Sequence, residues 1–290
     1  MMQTLAKFGS DAKAAVPVLR RLIKELEKYP DNDEFCIAIR TVHAIDPEEP
    51  SFDKQMKWLN AEDGPEQPTE RLVFEFLGEL GTKAPKAVDV LEKRIERGNK
   101  YNDKYERTGS YRLFEAEDGI KTLGKIGDDA VPALIRLLKD EHSKTRQYAA
   151  ATLGTMGKPA RPAVPILIEA LRNQDYDEQI NAACALWLLE KHDKAKEYFT
   201  ESLKSDLATL KRKNDPLLSS PSADAVKSYN RALRIILFLG DRGPEAKPFL
   251  SLLKQWQQSK ELRMKTAVRE VIEGAIEKIG ASEGGDTKKP

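Results

Sequence analysis

The side chains that could do acid–base, metal or nucleophilic chemistry are few and widely spaced. The histidines lie in three different parts of the chain, with no cysteine or carboxylate at metal-ligand spacing: His43, His142 and His192. Cys36 and Cys184 lie far apart inside apolar helical patterns, which is typical of buried small hydrophobic residues. The sequence has neither a Gly-rich phosphate loop after a strand nor a G-x-S-x-G segment. It therefore predicts a protein that is not an enzyme and holds no metal or cofactor.

A second group of side chains could do binding chemistry, and it consists of charged residues that recur after prolines. Counted from each proline, or from Asp89 where the proline is lacking, the fourth and seventh positions share one outward helix face. These positions hold Arg21, Lys93, Arg136, Glu169 and Leu252, and then Lys24, Glu96, Lys139, Arg172 and Gln255. A row of basic residues suits an acidic partner, although an ordinary solvated helix face gives the same pattern. The acidic stretch from Glu62 to Glu79 makes the overall field mixed.

The third candidate is the stretch RGNKYNDKYERTGSYR, from Arg97 to Arg112, in which tyrosines are interleaved with basic residues. Tyrosine offers rigid amphipathic contact area and arginine offers several hydrogen-bond donors, so the stretch fits a recognition loop. A tolerated surface loop would fit it as well. Together the two patterns predict a partner-binding surface formed by Arg97, Tyr101, Tyr105, Arg136, Lys139 and Arg172.

An internal repeat must position these candidates. LGKIGDDAVPALIRLL, which begins at Leu123, is followed thirty residues later by LGTMGKPARPAVPILIEAL. The shared core is Leu or Ile, two variable residues, an aliphatic or aromatic residue, and Gly. It recurs at 5–9, 77–81, 123–127, 153–157, 236–240 and 276–280, with degenerate copies at 42–46 and 186–190. Because glycine readily adopts the positive φ that ends a helix, the pattern predicts helix ends near Gly81, Gly127, Gly157 and Gly240.

A proline follows most of these turns and predicts the start of a second helix. Proline is tolerated in the first helical turn, where its missing N–H would have no partner. The prolines in question are Pro17, Pro132, Pro165 and Pro248. Small residues three positions before the glycine, such as Gly124, should let a neighbouring helix approach closely. The apolar periodicity predicts a nearly fully buried set, namely Leu123, Ile126, Leu134, Leu138, Leu153, Met156, Leu167 and Leu171.

The stretch LGKIGDDAVPALIRLLKDEHSKTRQYAAATLGTMG resembles the HEAT repeat, and more narrowly the HEAT-like subtype first associated with phycobilisome lyases. The likeness is close over 123–171 and moderate over 5–23 and 74–91. Arg146 stands where this subtype usually carries an arginine in the first helix. The resemblance implies an α-solenoid with the first helices on its convex side and the second helices on its concave side. The repeated His-Glu pairs of a di-iron HEAT-like enzyme family are lacking.

We therefore predict an all-α protein, a right-handed α-solenoid of HEAT-type helical hairpins. Residues 1–280 are expected to form a single solenoid of about seven helix pairs, because one hairpin cannot bury its apolar stripe alone. The first pair should be truncated, since MMQTLAKFG reads as the last turns of a helix. Residues 281–290 are predicted to be a disordered polar tail.

Composition narrows the class of partner. The 290 residues are 33% charged with a formal net charge of +1, so the basic excess typical of nucleic-acid binding is missing. The longest apolar runs, such as CALWLL and IILFLG, are far shorter than the roughly 20 residues that cross a bilayer. We expect a soluble monomer without membrane insertion, cytoplasmic by default and exported if a signal peptide lies upstream.

These observations favour a non-catalytic protein-interaction scaffold that binds a protein or peptide, of acidic character, on its concave second-helix face. Two alternatives stay open: a nucleic-acid-binding HEAT-like protein, and an accessory subunit of a lyase-type enzyme. A steep salt dependence of DNA binding would favour the first. A tetrapyrrole pocket with defined carboxylate and aromatic groups would mark the second.

Overall fold

The computed structural model describes residues 2–26, 33–46, 74, 77–78, 81, 87–105, 114–212, 223–259 and 266–281. At several of these positions, Tyr101 and Tyr105 among them, it describes the backbone only. The described residues form α-helices and short connecting turns, and none of them lies in a β-strand. The all-α prediction is thereby confirmed for this part of the chain. The chain divides into two compact units, Met1–Ala160 and Arg161–Pro290.

The described residues of the first unit are mainly helical, and two of the described connections are short 3-10 turns. Its helices are α1 (Met2–Phe8), α2 (Val16–Leu26), α3 (Asp33–Ile45), α4 (Ala87–Tyr105), α5 (Phe114–Ile126), α6 (Val131–Leu137) and α7 (Ser143–Met156). The 3-10 turn Gly9–Ala15 connects α1 to α2, and the 3-10 turn Asp128–Ala130 connects α5 to α6. The two helices of a hairpin are thus separated by only a few residues, as the repeat predicts.

The described residues of the second unit are likewise mainly helical. Its helices are α8 (Val164–Ala170), α9 (Tyr176–Glu190), α10 (Asp193–Arg212), α11 (Ala223–Asp241), α12 (Leu250–Gln258) and α13 (Thr266–Gly280). The 3-10 turns Lys158–Ala163 and Gly243–Phe249 precede α8 and α12. No helix in the described ranges is both long enough and apolar enough to cross a membrane.

Two layers of helices form within each unit. In the first unit, α5 packs against α7, and α4 contacts α6. In the second unit, α11 packs against both α9 and α13, and α10 contacts α12. First helices therefore neighbour first helices, and second helices neighbour second helices, which is how stacked hairpins bury one continuous core. The predicted HEAT-type stacking is confirmed within both units.

Prolines open three of the second helices, as predicted. Pro17, Pro132 and Pro165 are the second residues of α2, α6 and α8, where no earlier carbonyl is available to a backbone N–H. The prediction is wrong for Pro248, which lies in the 3-10 turn before α12. In the other second helices the proline is the second residue, whereas the second residue of α12 is Ser251, so the exposed face of α12 is displaced by three residues.

Positive φ values mark the helix ends predicted at Gly81 (52°), Gly127 (94°) and Gly157 (71°). These values favour glycine because a β-carbon would clash with the backbone. In the degenerate copy at 186–190 the helix ends one residue later, at Lys191. This lysine adopts the left-handed conformation with φ of 51°.

The helix end predicted near Gly240 is confirmed, although Gly240 itself is not the residue with the positive φ. Helix α11 continues to Asp241, and the positive φ of 54° falls on Gly243. Gly240 instead permits close packing, because an added Cβ would lie 2.9 Å from the Cβ of Ala275 on α13. Gly124 does the same for α5, where a Cβ would clash with the Thr152 side chain on α7, as predicted.

The predicted core residues are buried with two exceptions. Leu123, Ile126, Leu134, Leu138, Leu153 and Leu167 are buried. The prediction is wrong for Met156 and Leu171, which are half-buried. Met156 is the last residue of α7 and Leu171 directly follows α8, so both stand at the end of a buried stripe, although Leu138 at the same place after α6 is still covered.

Aromatic rings anchor α10 in the core of the second unit. The Phe199 ring lies 6.3 Å from Trp187 and 6.0 Å from Phe249, measured between centroids, and all three side chains are buried. Nε1 of Trp256 donates to the carbonyl oxygen of Leu203 at 3.2 Å. Large buried aromatic pairs stabilise beyond their area alone, so these contacts fix the position of α10.

Candidate functional site

The predicted outward positions of the second helices are exposed, with one exception. We call them the second-helix surface: Arg21, Lys24, Lys93, Glu96, Arg136, Lys139, Glu169, Arg172 and Gln255 are all exposed. The prediction is wrong for Leu252, which is buried, because α12 begins two residues after Pro248. Counted from the second residue of α12, the equivalent position is Gln255.

Arg136 already has an acidic partner within its own unit. Its Nε lies 2.7 Å from Oε1 of Glu92 and its Nη2 lies 2.5 Å from Oε2, so the pair is bidentate. Donation of hydrogen bonds to the Glu92 carboxylate raises the pKa of the Arg136 guanidinium. This pair joins α6 to α4 and reduces the positive charge that Arg136 can offer to a ligand.

The other predicted binding residues are distributed over both units. Lys139 is exposed just beyond α6, and its ammonium makes no ion pair within the described residues. Arg97 is half-buried on α4. Tyr101 and Tyr105 fall in the last two turns of α4, so the first part of the predicted loop is helical. The rest of that stretch, 106–113, lies outside the described residues. Arg172 lies in the second unit.

A buried amide ties the turn between α6 and α7 to α4. Asn99, on α4, is 4% exposed. Its Nδ2 donates to Oδ1 of Asp140 at 3.2 Å and to Oγ1 of Thr145 at 2.9 Å. The Thr145 hydroxyl donates in turn to Oδ1 of Asn99 at 3.2 Å. Because a buried amide without partners is costly, these bonds hold α4 against the turn.

Arg146 and His142 close the same turn. Nη1 of Arg146 donates to the carbonyl oxygens of Asp140 at 2.5 Å and Glu141 at 2.7 Å. Oδ1 of Asp140 accepts from the backbone N–H of His142 at 2.8 Å, and Nδ1 of the His142 ring lies 2.7 Å from it. Carbonyls that follow a helix lack intrahelical donors, so Arg146 has a structural task here.

The equivalent turn between α8 and α9 is closed by different side chains. Gln179 stands one repeat after Arg146, and its Nε2 donates to the carbonyl oxygen of Asn173 at 2.6 Å. The Asn173 amide donates to the carboxylate of Glu178, which is buried. The same backbone position is therefore held by a glutamine in place of the arginine.

A groove opens beside this second turn, between α8 and α10. Its volume is about 260 Å³, and it is lined by Ile168, Leu171, Arg172, Lys194, Glu197, Tyr198 and Glu201. Ile168, Leu171 and Tyr198 are half-buried and supply the apolar wall, whereas the charged residues are exposed at the rim. The groove lies between two second helices, which is the side that the sequence favours for binding.

The rim charges are largely paired with one another. Nζ of Lys194 lies 2.8 Å from Oε2 of Glu197, and Nζ of Lys204 lies 3.2 Å from Oε1 of Glu201. The Arg172 guanidinium makes no ion pair with any described residue, although it lines the groove. Arg172 is therefore the cation that this rim can offer to a ligand.

Tyr198 is held in place at the wall of the groove. Its hydroxyl donates to Oε1 of Gln179 at 3.3 Å, and its ring meets Phe199 edge-on with centroids 6.1 Å apart. Burial raises the pKa of the Tyr198 phenol to about 12, so the hydroxyl stays protonated at neutral pH. Tyr198 thus joins the groove to the turn that Gln179 closes.

Two other titratable groups of the second unit, Cys184 and Asp206, have pKa values raised by burial. Burial raises the pKa of the Cys184 thiol to about 12, which disfavours the reactive thiolate. Asp206 is fully buried and forms a bidentate pair with Arg231, although burial still raises the pKa of its carboxyl. Among the residues that the structure describes, no three His, Cys, Asp or Glu side chains form a group that could hold a metal ion.

The sequence predicted Arg172 but missed the other walls of the groove. Leu171 was assigned to the core, and Ile168, Lys194 and Tyr198 were not singled out. The signal that could have found them is their place on two consecutive second helices, at the edge between the buried stripe and the exposed face. No pattern in the sequence predicts how far apart α8 and α10 lie.

One family of known proteins matches the region that contains the groove. Residues 118–208 match the family described as HEAT repeats, so the matched stretch contains both turns and the groove. A comparison with curated proteins found no match. HEAT repeats commonly act as protein-interaction scaffolds. The narrower resemblance to the phycobilisome lyase subtype stays a prediction.

Proposed function

We propose that this protein is a non-catalytic scaffold that binds another protein or a peptide on its second-helix surface. The observation that carries the proposal is the groove between α8 and α10, which combines apolar side chains with Arg172, a cation that has no ion-pair partner among the described residues. Concave sites with apolar walls and a few polar groups are where proteins usually bind ligands. The HEAT repeats match over 118–208 is consistent with such a role.

Nucleic acid fits this surface less well. Arg136 is already neutralised by Glu92, and Glu169 interrupts the basic row one turn before Arg172. A protein that binds phosphates gains affinity from several unpaired cations side by side, and its binding then falls steeply with salt. The net charge of +1 adds no long-range attraction for a polyanion.

Affinity capture from native lysate, followed by cross-linking, tests the scaffold function. The wild-type protein is compared with a variant that carries Lys139→Glu and Arg172→Glu. The matched control is Lys196→Glu, an exposed residue of α10 that does not line the groove. We expect the double variant to lose the captured partner, the control to retain it, and the cross-links to fall on second helices. Equal capture by all three proteins would refute binding at this surface.

Kinetic measurements with the captured partner would resolve the separate contributions. Exposed charges mainly set the association rate, whereas apolar anchors mainly set dissociation. Lys139→Glu should therefore slow association, most strongly at low ionic strength. A Tyr101→Ala, Tyr105→Ala double variant should speed dissociation if these tyrosines contact the partner. Wild-type kinetics in both variants would leave the groove of the second unit as the remaining candidate.

A further inference from the structure

We propose that the groove between α8 and α10 binds a short peptide segment in which one large apolar side chain stands close to a carboxylate. The apolar side chain occupies the groove, and the carboxylate pairs with Arg172. This inference rests on the proposed scaffold function and specifies the chemistry of the segment that the scaffold holds.

The size of the groove fits one or two side chains. Its volume of about 260 Å³ is below the roughly 300 to 1,000 Å³ of pockets that enclose a drug-sized molecule. Ile168 and Leu171 contribute aliphatic surface, and Tyr198 contributes its ring. Covering half-exposed apolar surface with another apolar group removes it from water and stabilises the complex. A peptide side chain is therefore a better match than a cofactor.

Leu171 is more exposed than the equivalent leucine of the preceding hairpin. Leu138, the equivalent residue one repeat earlier, is 8% exposed and belongs to the core. A leucine at this position of the repeat can therefore be covered, as Leu138 is. Leu171, by contrast, is half-buried and lines the groove. A ligand would supply the cover that the second unit lacks at this position.

Charge complementarity selects an acidic segment over a basic one. Glu197 and Glu201 each have a lysine partner, at 2.8 and 3.2 Å, whereas the Arg172 guanidinium has no acidic partner in the described structure. Glu169 lies on α8 three residues before Arg172, which stands just beyond the end of that helix, and Glu169 does not line the groove. The planar guanidinium can bind both oxygens of a carboxylate at once, which favours aspartate or glutamate next to the apolar anchor.

The walls of the groove are held before any ligand arrives. The Tyr198 hydroxyl bonds to Gln179, and Gln179 bonds to the carbonyl oxygen of Asn173 at 2.6 Å. The backbone N–H of Arg172 donates to the carbonyl oxygen of Glu169 at 3.0 Å, which fixes the start of its side chain. A preformed site loses little conformational entropy on binding, so a short segment can bind without remodelling the helices.

Selection from a displayed library of random peptides tests the proposal, with fluorescence polarisation of the selected peptides as the readout. We expect enriched peptides to combine Leu, Ile, Met or Phe with Asp or Glu within a few positions. Arg172→Glu should weaken their binding about tenfold or more, because it replaces attraction by repulsion. Lys196→Glu, on α10 but outside the groove, should leave the affinity unchanged.

A second variant and a map of NMR shifts test whether a loss of peptide binding reflects misfolding of the variant. Ile168→Ala should weaken binding about threefold to tenfold while leaving the charges intact. Peptide titration should shift the methyl resonances of Ile168 and Leu171 and leave those of the first unit unmoved. Enrichment of basic peptides, no enrichment at all, equal binding by Arg172→Glu, or a single-stranded oligonucleotide that competes at the same methyls would each overturn the proposal.

The two proposals fail in distinguishable ways. If a captured partner depends on Lys139 but not on Ile168 or Arg172, the scaffold function stands and the groove proposal is wrong. If selected peptides bind the groove while cross-links of the captured partner avoid the second helices, the groove proposal stands and the wider scaffold surface is wrong.

Discussion

The turn after α6 and the turn after α8 hold the same backbone carbonyl with different side chains. In the first, Arg146 donates to the carbonyl oxygen of Asp140, and in the second Gln179 donates to that of Asn173. The first turn is bonded to α4 through Asn99 and the second to α10 through Gln179 and Tyr198, whereas the bond from Asn173 to Glu178 stays close to its own turn.

This difference teaches how the repeat separates structural from binding positions. What recurs is a donor side chain at the start of the first helix, and either arginine or glutamine can supply it. What does not recur is the burial of the leucine before the turn: Leu138 is covered, and Leu171 lines a groove. The repeat therefore tolerates an opening in one hairpin without losing the turn that follows it.

The largest contrast should appear when these two leucines are shortened. Leu138→Ala should lower the free energy of unfolding by about 2 to 5 kcal/mol, because it leaves a cavity in a packed core. Leu171→Ala removes a side chain that is only half-buried, so about 1 kcal/mol is expected. Denaturant unfolding of both variants measures the two losses. Equal losses would mean that Leu171 packs as tightly as Leu138.

The two asparagines should differ next. Asn99→Ala should cost about 1 to 3 kcal/mol, because it removes the buried partner of Asp140 and Thr145. Asn173→Ala should cost about 1 kcal/mol or less, since Asn173 is half-buried and water can replace its amide. Chemical denaturation of the matched pair gives the comparison. A larger loss for Asn173→Ala would contradict the view that Asn99 joins two helices and Asn173 does not.

Exchange of the donor side chains tests whether arginine and glutamine are equivalent here. Arg146→Ala should cost about 1 to 2 kcal/mol, because two carbonyl oxygens lose their donor. Arg146→Gln should recover part of this loss, since Gln179 performs the same task one repeat later. Thermal melts of both variants report the recovery. If Arg146→Gln is as unstable as Arg146→Ala, the two turns are not alike.

The two units should also differ in the alkaline range. Burial raises the pKa of Tyr148 in the first unit and of Tyr198 and Cys184 in the second to about 12 in each case. A group whose pKa is raised on folding stabilises the native state below its unfolded pKa, and this stabilisation is lost as the pH rises through the folded value. Unfolded thiols titrate near 8.5 and phenols near 10, so the second unit should start to weaken first.

Unfolding curves collected at several pH values between about 8 and 12 measure this order, with the unfolded pKa values as reference points. Cys184→Ala should flatten the early part of the decline, and Tyr148→Phe should affect only the later part. A decline that begins at the same pH in Cys184→Ala and in the wild-type protein would contradict the assignment to the thiol.

Features that depend on one residue and its close neighbours were predictable from the sequence. Gly127 and Gly157 end helices because their positive φ values suit a residue without a β-carbon. Pro132 and Pro165 open helices because the first turn needs no N–H donor. The buried leucines follow from the helical period, which places Leu123 and Leu153 on the inner stripe of their helices.

Features that depend on the distance between separate helices were decided by the tertiary structure. The outward position of Arg136 follows from the helical period, whereas its pairing with Glu92 depends on how closely α4 and α6 approach. The helix ends next to Gly240 as the pattern predicts, but the close approach of Ala275 also gives this glycine a packing role. The groove at Arg172 exists because α8 and α10 leave a gap. Periodicity sets which side of a helix faces inward, whereas side-chain volumes and partners on the next helix set how closely the two approach.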